Sequence, residues 1–353
     1  MGKKKDKAKA KKAKDEQSKK LAKAERKAQE KAEKKARDKA KRKAADKAKA
    51  KASDKAKAKS KAKSGDRADA KAKGSGRSLT EVLRVGPEFS LAKLDPASTP
   101  GFSGDEDDAT PLMESMQEAI GELQERLYAE GKAGGARSFL LVIQGMDTSG
   151  KGGIMRHVVG AFDPQGVDLT SFKAPTKEER AHPFLWRIRN ALPTAGRIGV
   201  FDRSQYEDVL IVRVHDLVPR AQWARRYGQI NAFERSVAAG GTTIVKVMLH
   251  ISKDEQKARL GERLARPDKY WKFNPGDIDE RGHWAAYQEA YEAALTKCST
   301  DDAPWFVVPA DNKWYARYAV TRLVLEALQG MDPQWPAATF DVAEQQKRLA
   351  ESD

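Results

Sequence analysis

Apolar positions in this chain follow two rhythms after about residue 110 and none before residue 78. Leu112, Met116, Ile120, Leu123 and Leu127 recur at helical spacing, which predicts an amphipathic helix over 111–130. Ser138 to Gln144 is a short continuous apolar run, the pattern of a strand buried on both faces. Further strands are predicted at 167–173, 197–202, 242–251 and 305–309. Helices are predicted at 177–191, 221–238, 253–265, 279–297 and 313–328, with a polar loop over 266–278. Strands alternating with helices imply an α/β fold, a parallel sheet with helices on both faces. Residues 78–110 carry Pro87, Pro96, Pro100 and the acidic run Asp105 to Asp108, and read as an irregular lead-in.

Charge divides the chain more sharply than hydropathy. Residues 1–73 hold 32 Lys+Arg against 11 Asp+Glu, whereas residues 74–353 hold 35 against 40. A basic tail therefore precedes a mildly acidic body, and the overall +16 describes neither part. The tail is mostly Lys and Ala, with no aromatic residue and Leu21 as its one large aliphatic. It has too little apolar surface to offset chain entropy, so a disordered or transiently helical arm is expected. Such an arm suits polyanions, nucleic acid or polyphosphate among them, or serves simply as a solubilising extension. The single Cys298 excludes an internal disulfide framework and fits a reducing compartment. No apolar run approaches membrane-spanning length and no ordinary secretory leader is evident, so a cytoplasmic protein is expected.

The chemistry concentrates after the first predicted strand. Gly145-Met146-Asp147-Thr148-Ser149-Gly150-Lys151-Gly152 joins that strand to a helix. Glycines at such a junction let the main chain curl so that several N–H groups meet phosphate oxygens, and a lysine there reaches a terminal phosphate. The residue after the lysine is normally Ser or Thr, whose hydroxyl ligates Mg²⁺; here it is Gly152. A carboxylate should then supply the hard oxygen, and Asp147 and Asp202 are the candidates. Asp202 ends a strand, where it could equally cap a helix. Arg203 either stabilises a transferring phosphoryl group or pairs with Glu207 or Asp208.

Four separated blocks resemble the polyphosphate kinase 2 family across roughly residues 110–335. They are Gly145 to Gly153, Ser171-Phe172-Lys173-Ala174-Pro175, Phe201 to Ser204 with Tyr206-Glu207-Asp208, and Trp271 to Asp277. The resemblance implies a P-loop kinase-like (thymidylate-kinase-like) fold with a helical lid at about 253–278. It also implies phosphoryl transfer between inorganic polyphosphate and nucleotides, AMP or ADP and also GDP, with Mg²⁺ or Mn²⁺ as cofactor. The lid sequence and Tyr206 to Asp208 look closest to the branch acting on both AMP and ADP, in which Asp often stands where this chain has Gly152. A homo-oligomer is a further implication of the family.

The resulting expectations are specific. Asp147, Lys151, Asp202 and Arg203 form the catalytic set, with Asp147 and Asp202 on the metal. Gly145, Ser149, Gly150, Gly152, Arg156, Lys173, Arg259, Arg263, Arg266, Lys269 and Lys272 meet phosphates, and Tyr206, Glu207 and Asp208 meet the nucleotide. Arg259, Arg263 and Arg266 fall on one helical face, although Glu255 and Glu262 stand four residues before two of them as local partners. Trp186 and Trp271 either stack on a base or pack. The five histidines show no metal-type spacing, and an ionised phosphate acceptor needs no general base, so in-line transfer without a covalent intermediate is expected. The expected layout is a tail over 1–73, a lead-in over 74–110, the transferase domain over 111–335 and a C-terminal tail over 336–353. Two rival readings stand beside this one: an ATP-dependent nucleotide or nucleoside kinase of the same fold, and a polyanion-binding scaffold acting through the tail.

Overall fold

A computed structural model describes residues 78–352. The basic arm over 1–73 and the Gly-Ser linker at 74–77 lie outside the described residues. Five strands, β1 (Ser138–Gly145), β2 (Val167–Ser171), β3 (Ile198–Asp202), β4 (Thr242–His250) and β5 (Trp305–Pro309), form one sheet in the order β2-β3-β1-β4-β5. Every pairing is parallel. Among the described residues the α-helices are α1 (Leu79–Leu83), α2 (Glu106–Lys132), α3 (Lys151–His157), α4 (Lys177–Arg180), α5 (Trp186–Asn190) and α6 (Ile211–Val214). They continue with α7 (Arg220–Ala239), α8 (Lys253–Ala265), α9 (Gly276–Glu280), α10 (Trp284–Cys298), α11 (Lys313–Met331) and α12 (Val342–Ala350).

β1 is central, and all eight of its residues are buried. Its side chains alternate between two cores, as a strand covered on both faces must. Phe139, Leu141 and Ile143 pack with α2, α3 and α11 residues such as Ile120, Ile154 and Leu323. Leu140 and Val142 pack on the other face with Phe201 and Phe233. The register aligns Ile143 with Asp202 and Asp202 with Ser171, so β1, β3 and β2 end close together. After β1 the strand order reverses, from β3 on one side to β4 on the other. That reversal opens the crevice in which parallel sheets of this kind take ligands.

Several elements differ from the sequence expectation for local reasons. The acidic run is not lead-in: Asp105 caps α2 by accepting from the N–H groups of Asp107 (3.0 Å) and Asp108 (3.2 Å). Acidic residues fit a helix N-terminus because its N–H groups carry partial positive charge. The helix expected over 177–191 splits into α4 and α5, with Pro183 between them removing a donor and disfavouring helix before it. The strand expected over 167–173 stops at Ser171. The loop 266–278 contains the 3-10 turn Pro267–Lys272 and the start of α9, and the C-terminal stretch expected as tail carries α12. The lead-in is tied down as well. Glu326 on α11 accepts from the N–H groups of Leu79 (3.2 Å) and Thr80 (3.0 Å), capping α1 from across the molecule. Among the described residues no helix is long and apolar enough to cross a membrane.

Candidate active site

The loop between β1 and α3 is shaped by backbone that most side chains avoid. Gly145 has φ 153°, and a Cβ there would fall 2.5 Å from the Ser149 Oγ and 2.9 Å from the Leu249 carbonyl. Gly150, at φ 113°, is the residue that precedes and caps α3. Thr148 and Arg203 are both left-handed without being glycine, at φ 64° and 66°. Strain of this kind persists only where the surroundings impose it, and it clusters at functional sites. Arg203 is held there by its N–H, which donates to the Ile143 carbonyl of β1 at 2.9 Å.

Lys151, the first residue of α3, folds back over the loop. Its Nζ donates to the carbonyls of Gly145 (2.5 Å) and Met146 (3.2 Å). Burial pulls its pKa below the ordinary lysine value, and the nearby carboxylates of Asp147, Asp202 and Glu207 only partly oppose this. Among the described residues no carboxylate pairs with it directly, and the groups it donates to are main-chain carbonyls.

Asp147 and Arg203 meet across the crevice, Oδ1 to Nη2 at 3.3 Å. Arg203 also faces Glu207 at 3.9 Å. The ion pair with Glu207 therefore forms, and Arg203 also stands beside the loop. Burial raises the pKa of Glu207, against the opposing pull of Arg203 and Lys151. Asp202 caps no helix: Ser204 makes the capping bond of the next turn, accepting from the Tyr206 N–H. One Asp202 oxygen, Oδ2, lies 3.4 Å from the Ser171 hydroxyl, and the other, Oδ1, is buried with no hydrogen-bond partner among the described residues. An orphaned carboxylate oxygen beside a phosphate loop is the donor a hard divalent cation requires. The donor set thus fits Mg²⁺ or Mn²⁺, with Asp202 the better-prepared ligand and Asp147 beside it.

Tyr206 is a correction to the expected nucleotide contacts. Its side chain is fully buried, edge-on to Trp305, and its hydroxyl donates to Glu234 Oε1 at 2.9 Å and accepts from Lys246 Nζ at 2.8 Å. It anchors the turn that carries Glu207 and Asp208. Asp208 opens instead onto a cleft of about 920 Å³. It receives Arg226 Nη1 on Oδ1 at 2.9 Å and lies 4.0 Å from Arg187. Arg187 also donates to the Lys173 carbonyl at 2.8 Å and lies over the Phe172 ring, while Arg226 lies over Phe184. Sequence reasoning missed Arg187 and Arg226. Both sit within ordinary helical patterns, so no local signal marks them.

The basic face expected on α8 does not form as a stripe. Arg259 is buried, and its guanidinium donates to the main-chain carbonyls of Thr148 (2.9 Å), Ala310 (2.5 Å) and Asp311 (3.0 Å). It clamps the loop rather than offering charge along the lid. Arg263 donates to the Lys272 carbonyl (2.9 Å) and to Asp277 (3.3 Å), and Arg266 pairs with Glu262 and Asp268. Lys269 stands 4.0 Å from Asp268, and Lys272 lies over the ring of the exposed Trp271. Trp186 stacks on His182. Arg156 and Lys173 are exposed, and Gly152 opens on empty space.

A family model described as Polyphosphate kinase 2 matches residues 103–336. The chain belongs to the polyphosphate kinase 2 family. It is 46% identical over 255 residues to an AMP/ADP-polyphosphate phosphotransferase of Meiothermus ruber, covering 72% of this chain and 94% of that protein. It is 40% identical to an ADP-polyphosphate phosphotransferase of Rhodopseudomonas palustris, covering 74% and 93%. Among solved structures, a polyphosphate kinase 2 from Arthrobacter aurescens TC1 superposes with a TM-score of 0.76 at 56% identity, covering 78% of this chain and 98% of that one. Membership of the polyphosphate kinase 2 family accounts for the sheet order and for the loop ending in Lys151.

Proposed function

We propose that this polyphosphate kinase 2 protein moves a phosphoryl group between inorganic polyphosphate and a nucleotide, AMP or ADP, with GDP a further acceptor. One observation carries the reading. Lys151, held by carbonyls alone, Arg203, and the orphaned Asp202 Oδ1 converge on one phosphate loop. Phosphoryl transfer asks for positioning and charge neutralisation more than covalent chemistry. Main-chain N–H groups at the start of α3 and the Lys151 ammonium hold the terminal phosphate. Arg203, drawn to Asp147 and Glu207, is placed to shift its guanidinium onto charge that develops in transfer. Asp202 and Asp147 would hold Mg²⁺, which when bound neutralises phosphate oxygens and orients them. The 920 Å³ cleft falls in the size range of small-molecule sites and suits the nucleotide, with Arg187 and Arg226 as its cations and Asp208 as its hydrogen-bond acceptor. The basic arm is read as a polyanion tether on a cytoplasmic homo-oligomer.

The test is a donor–acceptor matrix with product analysis: long polyphosphate or ATP as donor, and AMP, ADP or GDP as acceptor. Product formed from polyphosphate with AMP or ADP is the expected result. Transfer confined to ATP as donor would reject the reading in favour of a conventional nucleotide kinase.

A further inference from the structure

The segment expected to act as a lid leaves the body through α8 and returns to it at Arg281, in the 3-10 turn Arg281–His283 that precedes α10. One side chain touches both stems and the phosphate loop. Gln256, on the first turn of α8, is only 3% exposed, and both ends of its amide are engaged. Its Nε2 donates to the main-chain carbonyl of Asp147 at 3.1 Å, and its Oε1 accepts from Arg281 Nη1 at 2.8 Å. A carbonyl cannot donate and a guanidinium cannot accept, so one orientation of the amide satisfies both partners. Arg281 Nη1 also donates to the Lys253 carbonyl at 3.0 Å, which pins the return stem to the start of α8. One turn further along α8, Arg259 holds the Thr148 carbonyl at 2.9 Å. Two consecutive loop carbonyls are thus gripped from one helix, where Thr148 sits left-handed at φ 64°. A residue keeps such a conformation only where its neighbours over-determine it. The Asp147 carboxylate stands 3.3 Å from Arg203 Nη2, so a main-chain shift at 147 carries it off the guanidinium.

We propose that Gln256 is a positioning residue for phosphoryl transfer. It sets the Asp147 main chain, and through it the Asp147 carboxylate, against Arg203, while Arg281 holds its amide in the donating orientation. The side chain acts through Asp147 rather than on a reacting atom. A brace between the two stems needs the Gln256–Arg281 bond and nothing more. The bond to Asp147, made across 109 positions of sequence, is what positioning adds. The two bonds use opposite ends of one amide, so they can be removed separately. This inference rests on the phosphoryl-transfer reading of the site.

The experiment uses the full chain with the donor and acceptor that the wild type turns over, and reads kcat, both KM values and Tm. Gln256→Met keeps the length of the side chain and removes both bonds. Gln256→Glu keeps an acceptor for Arg281 and removes the donor to Asp147. Both variants are expected to lose about tenfold or more in kcat, within the cost of a misplacement of about 1 Å, with each KM within about twofold of wild type. The Tm of Gln256→Glu should match wild type, because the pin between the stems is kept. Arg281→Met should lose kcat as well, and Gln256→Met/Arg281→Met no more than Gln256→Met alone, since Arg281 acts through the amide. Wild-type kcat in Gln256→Glu overturns the inference, as do losses confined to KM, losses that add in the double variant, or a fall in Tm that tracks kcat in every variant. A loss in Gln256→Glu that Gln256→Met does not share comes from the added charge and overturns it too. No product from any donor in the wild type overturns the proposed function, and this inference with it.

Discussion

Two lysines on neighbouring elements, Lys246 fully buried and Lys151 half-buried, illustrate opposite uses of the same charge. Lys246, on β4, is fully buried and its Nζ is saturated: Glu234 Oε2 at 2.5 Å, the Tyr206 hydroxyl at 2.8 Å and the Cys298 carbonyl at 2.7 Å. Among the described residues Lys151 is held only by two loop carbonyls and has no carboxylate in direct contact. Desolvation lowers the pKa of both, because Lys246 has left water and Lys151 has lost part of it. The difference is the compensating anion. At Lys246 the protein supplies it, so the pair fixes structure and can take nothing more. At Lys151 the anion is missing from the protein, so a ligand phosphate can complete the site. A partly desolvated cation without its own counter-ion is a better mark of a site than the cation alone.

Exchanging the roles should break this contrast, most strongly at the loop. Lys151→Ala is expected to lower kcat by about 10³-fold, the scale of removing a group that meets transition-state charge, with no fall in Tm. Retained turnover, or a variant that unfolds, would contradict the division of labour. Lys246→Met should do the reverse and destabilise the fold by about 3–5 kcal/mol, because Glu234 is left buried and unpaired. Denaturant unfolding measures it. The double change Lys246→Met/Glu234→Leu should recover much of that loss, since replacing a buried ion pair by apolar side chains is often neutral.

Titration sharpens the comparison further. A lysine whose folded pKa is lowered loses its proton as pH rises through that lowered value, before a free lysine would. The kcat/KM for transfer, which reports the free enzyme, should therefore decline on the alkaline side below the ordinary lysine pKa of about 10.4. The stability consequence has the opposite sign: the charged form costs stability below the folded pKa, and that cost fades with rising pH. Lys151→Arg, if it transfers at all, should lose the alkaline decline, because a guanidinium stays charged. The smallest effect concerns Cys298 beside Lys246. Burial pushes its thiol up to about 12, so native protein at pH 8 should resist alkylation that proceeds readily once it is unfolded. Rapid modification of the native form would show that the Lys246 region is open.

Much of the fold could be read in advance, for a local reason. The β1 run and the glycines after it specify a strand and a turn with little help from elsewhere, so the phosphate loop and its Asp147 and Lys151 were legible. The α8 arginines were misread because helical spacing says which side chains share a face and nothing about what lies opposite. Arg259 meets the loop carbonyls of Thr148 and the chain after β5, both distant in sequence. Tyr206 failed in the same way: within a Tyr-Glu-Asp turn, only packing against Trp305 and Glu234 decides which side chain faces inward. Arg187 and Arg226 come from separate helices and become a pair only around Asp208.

The amino-acid order by itself determined the alternating elements, the glycine-shaped loop and the family, because strand and helix periodicity and left-handed backbone are properties of neighbouring residues. The tertiary structure alone decided which charges are neutralised within the protein and which remain open to a ligand. Charge pairing depends on distance in space, and carboxylates beyond the reach of helix or strand periodicity, Glu234 for Lys246 and Asp208 for Arg226, meet their partners only once the elements that carry them have packed.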